Sequence, residues 1–311
     1  MPTRHLLTLT AIGGDALERL IARAVEHGAA ERAAEPTLDG RIVGIYFRKP
    51  STRTRSAFTS GALRLGAKVM TFGPDDLQLA TGETLEDTAR VLSGYMHALV
   101  VRSNGPLAEM RSLASQDRMA LINAMSDCEH PTQAIGDLAA LKERFGRLED
   151  LHVLYVGEGN NTAAALAYAV ARTPGMRITF ATPEGYALPD AVVEAATEAA
   201  RAHGADVRQQ HGADDLPTGV DAVYATRWQT MGVPHADPGW QSAFAPYRVT
   251  ARLLERVGKA ETVFMHDLPA VRGEDVDDDV LDGGRSLAWR QAEHKMFGAM
   301  AVLERCLTDL L

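Results

Sequence analysis

Apolar and polar residues alternate along the chain in two kinds of pattern. Short apolar runs, such as "RIVGIYF" and "HALVVR", are typical of buried β-strands. Between such runs lie longer segments with apolar residues three or four positions apart, such as "TLEDTARVLSGY", which predict amphipathic helices. Because strand and helix patterns alternate over most of the chain, we expect an α/β fold with parallel sheets covered by helices on both faces.

The strand and helix series occurs twice. The first series ends in a long helix predicted at residues 131–148, and the second begins with the strand pattern "DLHVLYVG". We therefore predict two doubly wound parallel-sheet domains, residues 1–135 and 149–285, joined by this long helix. Residues 286–311 form a last helical pattern, which we expect to pack back on the first domain.

Composition and charge narrow the classes of function. The 311 residues suffice for two domains, and 46% hydrophobic with 23% charged residues is typical of a globular protein. A net charge of −9 argues against a nucleic-acid partner, because a duplex-binding protein usually carries a basic face. The two cysteines suit neither a disulfide framework nor a metal site. Without a signal-peptide or membrane-spanning pattern, we expect a cytoplasmic protein with no membrane partner.

Positive charge and hydroxyl groups are concentrated at one strand-to-helix junction, "FRKPSTRTRSAF". Ligands of open parallel sheets bind at the carboxyl ends of strands, and the free N–H groups of a helix N-terminus suit a phosphate. The hydroxyls of Ser51, Thr52 and Thr54 and the guanidinium of Arg53 would add donors. The alternative is a solvated helix start, but basic residues in a first turn oppose the helix dipole unless an anion is present. The junction therefore favours a phosphate site.

Several motifs in a fixed order carry a resemblance to a known family. The junction resembles the carbamoyl-phosphate motif of the aspartate and ornithine carbamoyltransferases, and further family-like motifs are "LQLATGETLEDTARVLSGY", "LINAMSDCEHPTQAIGDL", "VYATRWQTMG" and "FMHDLPA". The resemblance covers essentially the whole chain and is closer to the ornithine branch. It implies an enzyme that transfers the carbamoyl group of carbamoyl phosphate to an amine, giving a ureido product and phosphate, without a metal or organic cofactor.

The same resemblance implies which residues bind the donor. It assigns to carbamoyl phosphate Ser51, Thr52, Arg53, Thr54, Gln78, Arg102, His130, Gln133 and Lys295. Arg53, Arg102, His130 and Gln133 carry catalytic roles, and Arg102 with His130 would form an oxyanion hole for the carbonyl oxygen. Without the resemblance, His130 reads as a structural histidine and Lys295 as a solvated lysine. Family members are homotrimers with shared active sites, and Gln78 lies in the loop that would reach the neighbouring subunit.

The second domain would bind the acceptor amine. The resemblance assigns to it Asn161, Arg227, Gln229, Thr230, Met231, Asp267 and Leu268. Thr226 stands where the ornithine branch has the aspartate that meets the substrate's α-amino group, and Asp267 stands where the two branches have cysteine or proline. Asp267, also a candidate catalytic residue, would bind an ammonium group or help to deprotonate the nucleophile. The alternative is a structural carboxylate paired with Arg272.

Arg227 also departs from the ornithine pattern. It resembles the arginine with which the aspartate branch holds a carboxylate, and the alternative is a surface arginine stacked on Trp228. Arg227 and Asp267 together predict an amino-acid acceptor, either ornithine or a diamino acid with a shorter side chain, such as 2,3-diaminopropionate. A non-catalytic relative that binds carbamoyl phosphate is an alternative of another class. The resemblance also implies a cis bond between Leu268 and Pro269.

Overall fold

A computed structural model describes most of the chain, with the residues 5–30, 34–77, 82–230 and 235–311. Two predicted site residues, Gln78 and Met231, lie outside the described residues. The chain divides into two compact units, of which the first comprises Met1–Arg144 and Glu293–Leu311 and the second Phe145–Ala292. Within the described ranges, no helix is both long and apolar enough to span a bilayer.

The first unit is built on a four-stranded parallel sheet. Its strands are β1 (Ile42–Phe47), β2 (Lys68–Phe72), β3 (Ala98–Arg102) and β4 (Ala120–Met125), in the order β2–β1–β3–β4. Its helices are α1 (Gly14–Ala29), α2 (Thr52–Arg64), α3 (Leu85–Leu92), α4 (Leu107–Leu113) and α5 (Pro131–Phe145). Strands β3 and β4 are buried along their whole length, whereas the edge strand β2 is largely exposed. Burial on both faces explains the continuous apolar runs of the inner strands.

The second unit contains a five-stranded parallel sheet. Its strands are β5 (His152–Val156), β6 (Arg177–Ala181), β7 (Asp206–Gln210), β8 (Val220–Ala225) and β9 (Gly258–His266), in the order β7–β6–β5–β8–β9. Its helices are α6 (Asn161–Val170), α7 (Asp190–Arg201), α8 (Trp240–Phe244), α9 (Ala251–Val257) and α10 (Asp278–Leu281). The predicted α/β fold with two doubly wound parallel sheets is therefore confirmed.

The last helix, α11 (Ala288–Leu307), contributes its residues from Glu293 onward to the first unit. There it packs closely on α5, because a Cβ atom added to Gly136 would lie 3.2 Å from the carbonyl oxygen of His294. Such a short separation leaves little room for a side chain at the crossing point. Both long helices end earlier than predicted from the sequence. Helix α5 ends at Phe145 rather than at residue 148, and α11 ends at Leu307 rather than at residue 311.

One strand, β7, was not predicted from the sequence. Strand β7 has the sequence "DVRQQ", in which Val207 is the only apolar side chain and the only fully buried residue. The strand pairs with β6 alone, at the edge of its sheet. An edge strand needs little apolar surface, so its sequence carries no strand-like pattern.

Candidate active site

The N-terminus of α2 lies directly after the carboxyl end of β1. Ser51 occupies the N-cap position with extended backbone angles, and its side chain makes no capping hydrogen bond. The first helical turn holds no acidic residue, while Arg53 and Arg55 follow at once. The guanidinium of Arg55 lies over the Phe47 ring, 5.3 Å from its centroid. The helix start thus combines an unused hydroxyl and basic side chains with the positive end of the helix dipole, an arrangement suited to an anion.

Arg102 connects this helix to the neighbouring strand. It is the last residue of β3 and is buried. Its Nη1 donates a hydrogen bond of 3.2 Å to the buried hydroxyl of Thr54 and lies 3.5 Å from Nε2 of His130. An arginine only donates, so this ring nitrogen of His130 acts as the acceptor. Three residues far apart in the sequence therefore meet at the carboxyl ends of β1, β3 and β4.

The loop before His130 is held by buried polar residues that sequence reasoning missed. Asn123, within β4, donates through Nδ2 to the carbonyl oxygen of Leu7 at 2.8 Å and accepts from the backbone N–H of Met125 at 2.9 Å. The carboxylate of Glu129 accepts a 2.6 Å hydrogen bond from the backbone N–H of Leu9. These bonds set the path of the chain into α5 and so position the His130 ring. An asparagine inside an otherwise apolar strand was the available sequence signal.

The electrostatic surroundings of His130 keep its ring neutral. Burial lowers the pKa of His130 well below its ordinary value, and the positive charges of Lys295 and Arg102 lower this pKa further. Lys295 is buried, and its Nζ donates to Oε1 of Gln133, so the solvated lysine alternative is wrong. Nε2 of Gln133 donates in turn to Asp137 Oδ1 at 2.7 Å. A neutral imidazole can donate through one nitrogen and accept through the other.

In the second unit, two threonine hydroxyls hold the carboxylate of Asp267. The hydroxyl of Thr162, in the first turn of α6, donates to Oδ2 at 3.1 Å. The hydroxyl of Thr226, just after β8, lies 3.1 Å from Oδ1 and 3.2 Å from Oδ2. Asp267 itself follows β9 directly, so strand and helix ends that are remote in sequence meet at this carboxylate.

The alternative in which Asp267 pairs with Arg272 is wrong. The guanidinium of Arg272 instead binds Asp278 at 2.8 Å and Asp282 at 2.6 and 3.0 Å. The two aspartates hold the pKa of Arg272 above its ordinary value. The predicted cis bond is confirmed, because the Leu268–Pro269 peptide is cis. Arg272, five positions after Asp267 in the sequence, is therefore engaged by other carboxylates.

The two halves of the chain match known protein domains. Residues 4–143 match the aspartate/ornithine carbamoyltransferase carbamoyl-P binding domain, and residues 149–306 match the Asp/Orn binding domain of the same family. The chain belongs to the aspartate/ornithine carbamoyltransferase family. It is an enzyme of the carbamoyltransferase class. Both domain matches lie in the order expected from the sequence motifs.

Individual family members resemble the chain over nearly its whole length. The ornithine carbamoyltransferase of Halalkalibacterium halodurans is 36% identical over 306 residues, which cover 98% of this chain and 95% of that protein. That of Pyrobaculum aerophilum is 39% identical, covering 96% of this chain and 98% of that protein. The solved structure of ornithine carbamoyltransferase from Pyrococcus furiosus has 32% identity and a TM-score of 0.92, covering 100% of this chain and 99% of that one.

Within this family member, the loop after β8 is tied to the end of β5 by Glu158. Thr230 donates to Glu158 Oε2 through its backbone N–H at 2.8 Å and through its hydroxyl at 2.6 Å. Burial raises the pKa of Glu158, and these hydrogen bonds from Thr230 oppose that shift. His235 lies 3.7 Å from the other carboxylate oxygen and 2.9 Å from the carbonyl oxygen of Trp228. Glu158, whose side chain is 14% exposed, is a further polar group that sequence reasoning missed.

The other predicted acceptor residues differ in their surroundings. Trp228 is buried and stacks on Phe244 with ring centroids 5.8 Å apart, and no cation–π contact joins it to Arg227 in the described part of the chain, so the stacking alternative is wrong. Arg227 and Gln229 are half-buried. Asn161 is buried at the start of α6, where the preceding Asn160 caps the helix by accepting from Thr162 and Ala163.

No group of three or more histidine, cysteine, aspartate or glutamate side chains within the described ranges could hold a metal ion. The structure brings the predicted donor residues Thr54, Arg102, His130, Gln133 and Lys295 together in the first unit through the contacts above. Ser51, Thr52 and Arg53 share the start of α2 with Thr54. In the second unit, Asp267 contacts Thr226, the backbone N–H of Leu268 binds His266, and Thr230 binds Glu158.

Proposed function

We propose that this enzyme transfers the carbamoyl group of carbamoyl phosphate to an amine of an amino acid. The first unit (within residues 1–135, with Lys295 from the C-terminal helix) binds the donor, and the second unit (within 149–285) binds the acceptor. The observation that carries the proposal is Arg102, which is buried, donates to Thr54 at the start of α2 and adjoins the neutral ring of His130. The phosphate and carbamoyl groups of the donor would thus bind beside the same helix start.

The chemistry follows from the donors available there. The phosphate of the donor would occupy the start of α2, bound by the hydroxyls of Ser51, Thr52 and Thr54 and by Arg53. When the acceptor amine attacks the carbonyl carbon, negative charge develops on the carbonyl oxygen. Arg102 and His130 would stabilise that charge, since donors in a buried site act more strongly than in water. The bond between carbon and the phosphate oxygen then breaks, phosphate leaves with the electron pair, and the amine loses a proton.

Gln133 and Lys295 support the same step from α5 and α11. Lys295 adds positive charge beside His130 and holds the amide of Gln133. Asp137 holds the other end of that amide, so Gln133 is fixed at both ends. A rigid amide beside the carbamoyl group would restrict the orientation of the carbamoyl group. Less entropy would then be lost on reaching the transition state.

Ornithine is the first candidate acceptor. The similar proteins are named ornithine carbamoyltransferases and cover nearly the whole chain. A second candidate is a diamino acid with a shorter side chain, such as 2,3-diaminopropionate. Arg227 offers a guanidinium for a carboxylate, and Asp267 offers a carboxylate for an ammonium group. The ornithine branch has an aspartate at the position of Thr226, whereas this chain has its aspartate at position 267. The negative charge therefore follows the next strand, β9, which favours an altered acceptor.

A homotrimer with shared active sites is part of the proposal. The exposed edge strand β2, with Met70 41% exposed, offers a surface for another subunit. Gln78, which belongs to the loop expected to reach a neighbouring site, follows this strand by six residues in the sequence. Light scattering of the purified chain should give three times the 33.5 kDa chain mass. The mass of a single chain would contradict this assembly.

Phosphate release tests the reaction itself. Carbamoyl phosphate is incubated with the protein alone and with ornithine, 2,3-diaminopropionate, aspartate or putrescine, and the ureido product is measured by mass spectrometry. We expect acceptor-dependent phosphate release, greatest with ornithine or 2,3-diaminopropionate. Thermal stabilisation by carbamoyl phosphate without turnover for any amine would instead support the non-catalytic alternative.

A further inference from the structure

Asp267 has a mostly buried carboxylate, and no lysine or arginine among the described residues of the second unit pairs with it. Its side chain is 15% exposed. Among the described residues of the second unit, its polar contacts are the hydroxyls of Thr162 and Thr226 and the ring of His266. A buried carboxylate normally has a cation or several hydrogen-bond donors, because burial without them is costly. Two hydroxyl protons occupy only part of the roughly four acceptor positions of a carboxylate.

His266 does not neutralise this charge. Its Nδ1 lies 3.5 Å from Asp267 Oδ1, but the same nitrogen accepts a 2.8 Å hydrogen bond from the backbone N–H of Leu268. A ring nitrogen that accepts a hydrogen bond carries no proton, so it cannot donate to the aspartate. The proton of the neutral ring therefore lies on Nε2, which is 3.5 Å from Asp275. The side of the ring that faces Asp267 carries a lone pair rather than positive charge.

The groups that surround Asp267 are hydrogen-bond donors. Both threonine hydroxyls donate to its carboxylate oxygens. Thr162 lies in the first turn of α6, a ten-residue helix, so the positive end of the helix dipole also faces this region. A general base must take up a proton, and these contacts would then have to rearrange. A carboxylate held in this manner is better suited to binding a cation than to accepting a proton.

We infer that Thr162 and Thr226 are positioning residues that orient the carboxylate of Asp267 as the binding group for the non-reacting ammonium group of the acceptor. This inference rests on the proposed function. Thr226 contacts both carboxylate oxygens and fixes the plane of the carboxylate, while Thr162 fixes the Oδ2 side. The remaining acceptor positions suit an ammonium group, which has up to three N–H donors. The acceptor class is therefore a diamino acid rather than a monoamine.

Matched pairs of acceptors separate binding from base catalysis. Ornithine and 5-aminovalerate have the same reacting amine, but 5-aminovalerate lacks the second ammonium group. The pair 2,3-diaminopropionate and β-alanine differs in the same way. A binding role for Asp267 affects only the diamino member of each pair, whereas a base acts on the reacting amine of both members. The ratio of kcat/KM values within a pair therefore reports the role of Asp267.

The test measures this ratio for the unmodified chain and for Thr162→Val and Asp267→Asn. Loss of hydrogen bonds to a charged group usually costs about 10- to 100-fold, so we expect the ratio to fall by about that factor in either variant. Thr162→Ser keeps the hydroxyl and should restore the ratio. The double variant Thr162→Val/Asp267→Asn should lower the ratio of kcat/KM values no further than Asp267→Asn alone does, because Thr162 acts through Asp267.

Thr182→Val is the matched control. The Thr182 hydroxyl is buried in the same unit and has no hydrogen-bond partner in the described part of the chain, so its removal should leave the ratio unchanged. Thermal unfolding of each variant verifies that it folds. Two results would overturn this inference alone. One is an equal loss of kcat/KM for the diamino and the monoamino acceptor of a pair in the variants. The other is an unmodified chain that uses both acceptors equally well. Absence of acceptor-dependent phosphate release from the unmodified chain would overturn the proposed function as well.

Discussion

Lys295 donates a hydrogen bond from Nζ to Oε1 of Gln133, although the two residues are 162 positions apart in the sequence. The contact joins the helices α5 and α11 and keeps the lysine buried. It also places a positive charge beside His130, where it contributes to the lowered pKa of that ring. A lysine that resembles a surface residue in sequence is thus part of the electrostatic environment of the proposed donor site.

Substitution Lys295→Met should raise the pKa of His130. Removal of the positive charge makes protonation of the ring less unfavourable, although burial still keeps the pKa below its ordinary value. The titration of the His130 ring protons, followed by NMR, measures the shift. Lys142→Met is the control, because Lys142 also lies on α5 and, among the described residues, its ion pair is a 4.0 Å contact with the exposed Glu18. An identical His130 titration in Lys295→Met would contradict the charge effect.

Substitution Arg102→Met should lower kcat by about 10²- to 10³-fold, the usual loss when one oxyanion donor is removed. The side chain that remains is apolar and cannot donate to the carbonyl oxygen. Acceptor-dependent phosphate release gives the rate, with circular dichroism as a test of folding. Arg111→Met, at an exposed position on α4, should retain full activity. A near-normal rate in Arg102→Met would remove Arg102 from the reaction.

Glu304 should make the stability of the chain sensitive to acid. Burial by itself raises the pKa of Glu304, but hydrogen bonds from Arg23 and His27 more than offset this and hold the pKa at about 2. Because this folded-state pKa lies below the ordinary value of 4.5, the contribution of Glu304 to stability is present above about pH 4.5. The contribution is lost as the pH falls from there toward 2.

The variant Glu304→Gln tests that contribution. At pH 7 we expect a loss of about 2–4 kcal/mol in the free energy of unfolding, because Arg23 and His27 lose their buried partner. The dependence of stability on pH below 4.5 should become shallower. Glu26→Gln is the control, since Glu26 is exposed and contacts the same arginine, and should cost less than about 0.5 kcal/mol. If urea unfolding shows equal losses of stability for Glu304→Gln and Glu26→Gln, the stabilising role of Glu304 is contradicted.

Gly159 should not tolerate a side chain. A Cβ atom there would lie 2.2 Å from the backbone nitrogen of Leu188 and 2.4 Å from the carbonyl carbon of Ala187, and backbone atoms cannot move aside easily. Gly159→Ala should therefore destabilise the chain by about 1–3 kcal/mol in urea unfolding. Gly212→Ala is the matched control, because nothing lies within 4 Å of its added Cβ atom, and its stability should change by less than about 0.5 kcal/mol.

Much of the fold was predictable because its sheets are parallel and buried. The inner strands β3 and β4 carry continuous apolar runs, and their helices show clear periodicity, so both sheets followed from the pattern. The edge strand β7 did not, because only Val207 faces the core. The short helices α8, α9 and α10 were also missed, since four to seven residues show too little periodicity to be recognised.

The candidate site also has a part that was predictable from the sequence and a part that was not. The hydroxyls and arginines at the start of α2 are adjacent in sequence, so their local chemistry was visible without a structure. The contact between Thr162 and Asp267 joins residues 105 positions apart and carries no sequence pattern. The same is true of Glu158 with Thr230, whose partners are 72 positions apart. Such pairs form only because parallel strands bring their carboxyl ends to one edge of a sheet.

By itself, the sequence determined the alternation of strands and helices, the anion-binding character of one helix start and the identity of the chemical groups after each strand. These properties depend on side-chain type and local spacing. The tertiary structure alone decided that Lys295 is buried beside Gln133, that Arg272 is engaged by two other aspartates and that Asp267 is held by two hydroxyls. Burial and pairing depend on which remote segments meet, and that is set by the packing of the whole fold.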